Sequence, residues 1–136
     1  MIEQLQSRLA AVAAPMVRDL ALRVTAAQAG EVTLALPVAP ALVHAGGVLC
    51  GQAIMAAADT AMVLALTSLE PGARFRPMTT VQLSTSFLRP VPGDTPEVTL
   101  VARVLRTGKT LAYGEVSLST PDGRLAAHAT TTYAYL

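Results

Sequence analysis

The chain has 136 residues, of which 52% are hydrophobic and 14% are charged, and its formal net charge is +1. Such a chain, with 4% aromatic residues and no tryptophan, lacks the basic and aromatic surface of a nucleic-acid-binding protein, and its single cysteine excludes an internal disulfide. No signal sequence or membrane-spanning run is evident, so we expect a cytoplasmic protein with no membrane partner.

The first part of the chain predicts one helix and one hairpin. Apolar residues spaced by three and four from Ile2 to Val12 predict an amphipathic helix, which we expect Pro15 to end. Two extended segments follow at residues 21–27 and 31–36, separated by Gly30, and the second alternates apolar and small side chains. These segments predict a first hairpin.

The second part predicts a long helix followed by four strands. A glycine-containing loop leads into a segment that is apolar nearly all round, which predicts a buried helix from Gly51 to about residue 69. Alternating segments then predict strands at residues 80–88, 97–105, 111–119 and 124–135. In the first of these strands the alternation would place Val81, Leu83, Thr85 and Phe87 on one face.

The element order predicts an α+β fold in which an antiparallel sheet wraps around the long central helix. The length suits one domain over residues 1–136, with a core of its own. A sheet packed on a single helix leaves a face and edges uncovered, and the apolar composition suggests further burial between subunits. We therefore expect a homo-oligomer.

Asp59 lies in the middle of the predicted buried helix. An ionised carboxylate is costly to bury without a partner, so this acid has either a local hydrogen-bonding role or a chemical one. Gly51 begins the helix eight residues earlier, at a distance of about 12 Å along the axis. If two such helices run antiparallel across a dimer, the free N–H groups of one helix start lie near the acid of the other. This arrangement would place an oxyanion hole opposite a base or nucleophile, as acyl transfer requires.

Four segments together resemble one known family. They read AADTAM at residues 57–62, TTVQLSTSFLRP at 79–90, VLRTGKTLAY at 104–113 and DGRLAAHA at 122–129. In this order, over nearly the whole chain, they are similar to hotdog-fold acyl-CoA thioesterases of the phenylacetate-pathway (PaaI) type. The resemblance implies a hotdog fold, hydrolysis of acyl-CoA thioesters, and a dimer that pairs further into a tetramer. It implies no metal and no redox cofactor.

The resemblance also implies roles for individual residues. Asp59 corresponds to the family's helix acid, Gly51 to the glycine whose amide faces the thioester oxygen, and Thr80 to the Ser or Thr that holds the attacking water. The sequence departs from the family at the helix start, where Cys50-Gly51-Gln52 replaces the usual His-Gly-Gly. His44 stands in the loop at a position that the family usually gives to Asn or a similar polar residue, and it could polarise the thioester carbonyl.

The remaining candidates are residues that could contact the substrate. Cys50, Gln52 and Met55 belong to the first turns of the helix, and packing explains the lone cysteine better than a nucleophilic role. The cations suited to the phosphates of coenzyme A are Arg89, Arg106 and Lys109. Gly108, which lies in the same predicted turn as Arg106 and Lys109, is a further candidate for substrate contact. The simplest alternatives are a solvated or locally hydrogen-bonded His44 and solvated basic side chains at strand ends.

Two other functions compete with hydrolysis. The helix entry also resembles that of hotdog 3-hydroxyacyl thioester dehydratases, but those enzymes need an acid where Gln52 stands, and an amide cannot transfer the proton. A non-catalytic acyl-CoA-binding module would keep the pocket and lose turnover through the altered helix start. The histidines, Cys50 and Asp59 show no spacing typical of a metal site.

Overall fold

A computed structural model describes residues 1–136 as three α-helices and six strands. The helices are α1 (Ile2–Val12), α2 (Pro15–Arg18) and α3 (Gly51–Thr67). The strands are β1 (Arg23–Gln28), β2 (Glu31–Pro37), β3 (Met78–Phe87), β4 (Glu97–Thr107), β5 (Leu111–Ser119) and β6 (Leu125–Tyr135). All strands pair antiparallel in one sheet, in the order β1-β2-β4-β5-β6-β3. With α3 packed against this sheet, the chain has the α+β hotdog fold that the sequence predicted.

The central helix lies close to the sheet because the residues between them are small. Ala57, Ala61 and Ala65 are completely buried in α3. Gly114 in β5 faces the helix, and a Cβ atom there would lie 2.3 Å from the Met62 Cε atom. Glycine at this position therefore allows the close approach of α3, which buries the helix on its sheet-facing side.

The N-terminal segment is fixed to the rest of the fold by apolar and polar contacts. Leu5 and Leu9 of α1 are buried in the core. The Gln6 side chain donates to the Leu22 carbonyl at 3.0 Å and accepts from the Val24 N–H at 2.8 Å, which ties α1 to β1. The Arg8 Nε atom donates to the Ala73 carbonyl at 2.9 Å. Helix α1 therefore forms a fixed wall beside α3.

The predicted role of Pro15 was wrong. Helix α1 ends at Val12, and Pro15 occupies the first position of α2. Proline is well suited to this position because its missing N–H would have no partner in the helix and its φ angle is already helical. The residue thus begins a helix and does not end one.

The predicted face of β3 also needs a correction. A β-bulge between Thr80 and Gln82 shifts the register against β6, so Val81 does not share the inward face with Leu83 and Thr85. Val81 is 59% exposed. Strand β3 forms one edge of the sheet, with β6 on only one side of it.

The other predicted elements are confirmed, with small shifts at their ends. The central helix ends at Thr67, and β4 continues to Thr107, which shortens the predicted turn before β5. Strand β5 covers Leu111–Ser119, as predicted. No helix has both the length and the apolar character needed to cross a bilayer.

Candidate active site

Asp59 lies half-buried in the middle of α3, beside the edge strand β3. The Thr80 hydroxyl donates to the Asp59 carboxylate, with its Oγ1 atom 2.9 Å from Oδ1 and 3.2 Å from Oδ2. Thr80 lies just before the β3 bulge, at the start of the strand. The two residues that the sequence singled out as acid and hydroxyl therefore lie in direct contact.

Tyr133 contacts the same carboxylate, and the sequence reasoning missed it. It pairs with Thr80 across β3 and β6, and its hydroxyl contacts both the main-chain oxygen of Asp59, at 3.0 Å, and the carboxylate Oδ1. Burial raises the pKa of Tyr133, and the hydrogen bond to Asp59 raises it further. The phenol therefore stays protonated at neutral pH and acts as a donor. The sequence offered one signal for Tyr133: a large side chain at an inward position of β6, where most of the other residues are small.

Gly51 is the first residue of α3, and the N-terminus of this helix has no side-chain cap. The first N–H groups of an α-helix have no partner within the helix, so those beginning with Gly51 can bind an anion or a polarised oxygen. A Cβ atom on Gly51 would lie 3.3 Å from the Phe87 ring. Because α3 is one continuous helix, Gly51 remains about 12 Å along its axis from Asp59 of the same chain.

His44 lies exposed in the loop before α3. Its Nδ1 atom accepts a hydrogen bond from the Gly46 N–H at 2.8 Å. In a neutral imidazole this leaves the proton on Nε2, which is then a donor directed away from the turn. The local bond is the alternative considered from the sequence, and it also gives the ring a defined tautomer.

The helix-start candidates differ in their exposure. Cys50 is half-buried and packs against the hydrophobic core, which agrees with the packing interpretation. Gln52 is exposed, and Met55 is half-buried. Together with Asp59 and Val63 these two residues form a stripe along α3 that the sheet does not fully cover.

The basic candidates do not form one site within a protomer. Arg89 lies by the N-terminus of α3, where it lines a groove with Gly51 and Phe87, and it also lines a neighbouring polar cleft with Arg124. Arg106, Gly108 and Lys109 lie at or after the end of β4, by the start of β5, at the opposite end of the sheet. The ten residues of β3 span the distance between the two ends, about 30 Å along the strand.

Side chains able to bind metals are dispersed. His128 pairs with Glu115 on the outer face of the sheet, with His128 Nε2 3.3 Å from Glu115 Oε1. No three His, Cys, Asp or Glu side chains lie together in an arrangement that could hold a metal ion.

Comparisons with known proteins bear on the family and the fold of this chain. Residues 46–127 match the sequence profile described as the thioesterase superfamily. A presumed esterase of Thermoplasma volcanium is 31% identical over 76% of this chain and 74% of its own. A conserved protein of Pseudomonas aeruginosa has a structure with a TM-score of 0.82 at 28% identity, over 98% of both chains. The Escherichia coli PaaI protein from the phenylacetic acid degradation operon has a TM-score of 0.82 at 17% identity, over 99% of this chain and 95% of its own. This last likeness supports the fold alone.

Proposed function

This chain belongs to the thioesterase superfamily, and we propose that it hydrolyses acyl-CoA thioesters to a free acid and CoA. The observation that carries the proposal is the Asp59 carboxylate, which lies in an otherwise uncharged helix and accepts hydrogen bonds from the hydroxyls of Thr80 and Tyr133. Two hydroxyl donors hold the carboxylate in one orientation. An oriented carboxylate is what attack on a thioester carbonyl requires.

Asp59 could promote hydrolysis by either of two routes. As a general base it takes a proton from water while the water oxygen bonds to the carbonyl carbon, and the tetrahedral intermediate then expels the CoA thiolate, which receives that proton from Asp59. As a nucleophile it bonds to that carbon itself, the thiolate leaves, and water hydrolyses the resulting anhydride. Thr80 and Tyr133 would hold the carboxylate in position on either route.

The negative oxygen of the intermediate needs donors opposite Asp59. We assign this role to the Gly51 N–H of the partner subunit, because the helix start of the same chain is about 12 Å away along the helix axis. His44 would supplement it by donating from Nε2 to the thioester carbonyl, since its Nδ1 is occupied by Gly46. The altered neighbours Cys50 and Gln52 leave the backbone donor itself intact.

Two features support a dimer that completes this site. Strand β3 is an exposed sheet edge, and an unpaired edge is a ready template for another strand. The stripe of Gln52, Met55, Asp59 and Val63 on α3 is the part of the helix that the sheet leaves uncovered. Antiparallel pairing of two β3 strands would bring two α3 helices side by side with opposed directions. Further pairing into a tetramer remains a prediction from the resemblance.

The same pairing would bring basic residues that are far apart in one subunit together at one substrate-binding site. It would place the Arg89 end of one sheet beside the Arg106, Gly108 and Lys109 end of the other. The phosphates of CoA would then contact Arg89 from one subunit and Arg106 or Lys109 from its partner. Gln52 and Met55 would line the path of the thioester between the helices.

The narrower PaaI-type assignment and the cytoplasmic location remain predictions.

The proposed function is tested by measuring the release of free CoA thiol from a panel of acyl-CoA esters. We expect time-dependent release from at least one ester, in proportion to enzyme concentration. The control is the same measurement with the Asp59→Asn protein. Tight binding of acyl-CoA without release across the panel would contradict hydrolysis and would favour the binding module instead.

A further inference from the structure

The exposed turn at residues 44–47, which carries His44, is held by hydrogen bonds on two sides. The His44 N–H donates to the Val48 carbonyl at 3.1 Å, and the Gly47 N–H donates to the His44 carbonyl at 2.9 Å, which closes the turn. From outside the turn, the Gly93 N–H donates to the Gly47 carbonyl at 2.8 Å. The loop that follows β3 therefore fixes the turn in place, although the turn itself lies at the surface.

Gly46 leaves free the space that the His44 ring occupies. A Cβ atom on Gly46 would lie 2.6 Å from the His44 Cε1 atom and 3.0 Å from Nδ1. The backbone does not require glycine here, because the φ angle of Gly46 is not positive. The ring lies directly over this residue while its Nδ1 atom accepts from the Gly46 N–H. The missing side chain and the hydrogen bond together give the imidazole one orientation.

Gly93 makes room for the turn in a similar way. A Cβ atom on Gly93 would lie 2.8 Å from the Val43 Cγ1 atom and 3.0 Å from the Gly47 carbonyl oxygen. The φ angle of Gly93 is not positive, so its conformation does not require glycine either. Val43 is β-branched and has little rotamer freedom, and the Gly47 oxygen belongs to the backbone. A side chain at residue 93 would therefore be accommodated by moving the turn.

We propose that Gly46 and Gly93 are positioning residues for His44, and that they hold its imidazole as a fixed donor with the proton on Nε2. An exposed histidine in a loop would otherwise sample several rotamers, and ordering it on binding would weaken its hydrogen bond to a ligand. A donor that is fixed before the substrate arrives avoids that loss. The positioning comes from the turn itself, whereas the use of this donor on a thioester carbonyl rests on the proposed function.

The orientation of the ring is measured by the nitrogen chemical shifts of the imidazole in NMR spectra, which distinguish the two tautomers. The chain has two histidines, so the His44→Ala protein identifies the signals of His44. At about pH 9, where imidazole is neutral, we expect one His44 tautomer in the wild type, with the proton on Nε2. Gly46→Ala and Gly93→Ala should each give a mixture of both tautomers. The same mixture in the wild type would contradict the proposal.

Gly46→Ala should displace the ring and leave the fold intact, because the atoms that its Cβ meets belong to an exposed side chain. It should lower kcat/KM for the best ester at least about tenfold, as His44→Ala should. The matched control is the same Gly46→Ala change in a chain that already carries His44→Ala, where it should change kcat/KM less than about twofold. Gly93→Ala should follow the same pattern. Equal losses with and without His44 would contradict a positioning role.

His44→Asn provides a second control. An asparagine oxygen commonly accepts from the N–H two residues further along the chain, as the His44 Nδ1 atom does here, and the shorter side chain covers less of residue 46. Adding Gly46→Ala to His44→Asn should therefore lower kcat/KM less than about threefold relative to His44→Asn alone. A tenfold loss in that protein would show that the ring is not what the alanine displaces.

The two kinds of measurement separate this proposal from the proposed hydrolysis. If no ester is hydrolysed while the wild type shows the single tautomer that Gly46→Ala loses, the positioning stands and hydrolysis is wrong. If esters are hydrolysed while Gly46→Ala lowers kcat/KM equally with and without His44, the positioning is wrong and the proposed function stands.

Discussion

The Tyr133 hydroxyl contacts Asp59 twice, at the carboxylate Oδ1 and at the main-chain carbonyl oxygen. Through this contact the last strand of the sheet is linked to the middle of α3. Thr80, which pairs with Tyr133 across two strands, donates to the same carboxylate. The strand register between β3 and β6 therefore positions both hydroxyl donors. The orientation of the Asp59 carboxylate depends on this register at the edge of the sheet.

Removing either donor should lower the rate by loosening Asp59. Tyr133→Phe and Thr80→Val should each reduce kcat roughly tenfold to a hundredfold, because a hydrogen bond to a charged group contributes about 1.5–3 kcal/mol. KM should change little, since neither hydroxyl is assigned to substrate binding. Steady-state kinetics measure both quantities, and Thr80→Ser, which keeps the hydroxyl, is the control. Equal losses in Thr80→Ser and Thr80→Val would contradict a role for the hydrogen bond.

Tyr133 should also make the folded state sensitive to alkali. Burial, followed by the hydrogen bond to Asp59, raises the pKa of Tyr133 above the value of about 10 that it has in an unfolded chain. Above about pH 10 the unfolded state loses this proton while the folded state keeps it, so stability is fully present below that pH and falls as the pH rises.

Denaturant unfolding of the wild type and of Tyr133→Phe between pH 8 and 11 measures this effect. The wild-type free energy of unfolding should fall more steeply above about pH 10, by up to about 1.4 kcal/mol per pH unit for one proton. Both proteins must be compared at the same concentration, because an oligomer's stability depends on it. Parallel curves for the two proteins would show that Tyr133 is not the group responsible.

The Gly51 amide can be removed without breaking the helix. Proline is well tolerated at the first position of a helix, and the extended conformation of Cys50, with ψ of 147°, suits a residue before proline. Gly51→Pro deletes the N–H and should reduce kcat about 10²- to 10³-fold, the effect of losing one oxyanion donor. Gly51→Ala adds the same Cβ atom against Phe87 and keeps the N–H. The alanine variant should therefore retain most activity, and equal losses in both would point to packing against Phe87.

Hybrid oligomers should reveal that two subunits contribute residues to each active site. In an equal mixture of Asp59→Asn and Gly51→Pro chains, about one quarter of the sites pair an intact Asp59 with the intact Gly51 of a partner subunit. Co-expression should therefore restore about one quarter of wild-type activity, although each variant alone is nearly inactive. A site built within one chain would give no recovery.

Periodicity was enough to predict most of the fold. The spacing in α1, the apolar length of α3 and the alternation in β4 and β5 all predicted elements within a few residues of their observed ends. The bulge after Thr80 could not be read in the same way, because it adds one residue against β6 without interrupting the apolar pattern. For the same reason Val81 was placed on the wrong face.

The residues of the candidate site were harder to predict from the sequence than the fold was. Asp59 stood out as a charge in an apolar helix, but its link to Thr80 came from the family resemblance. The contact with Tyr133 spans 74 residues and depends on the sheet register, which no local pattern encodes. The separation of Arg89 from Lys109 likewise follows from the length of β3, and their joint use depends on how two chains pair.

The most direct test of the central claim is the rate of thioester hydrolysis by Asp59→Asn. Asparagine keeps the size of the side chain and an oxygen that can accept from Thr80 and Tyr133, so the fold and the oligomer should be unchanged by circular dichroism and gel filtration. We expect kcat for the best acyl-CoA ester to fall about 10²- to 10⁴-fold, because the amide can neither take a proton from water nor attack the carbonyl. A variant that keeps the wild-type oligomer and hydrolyses the ester within threefold of the wild-type rate would contradict the account.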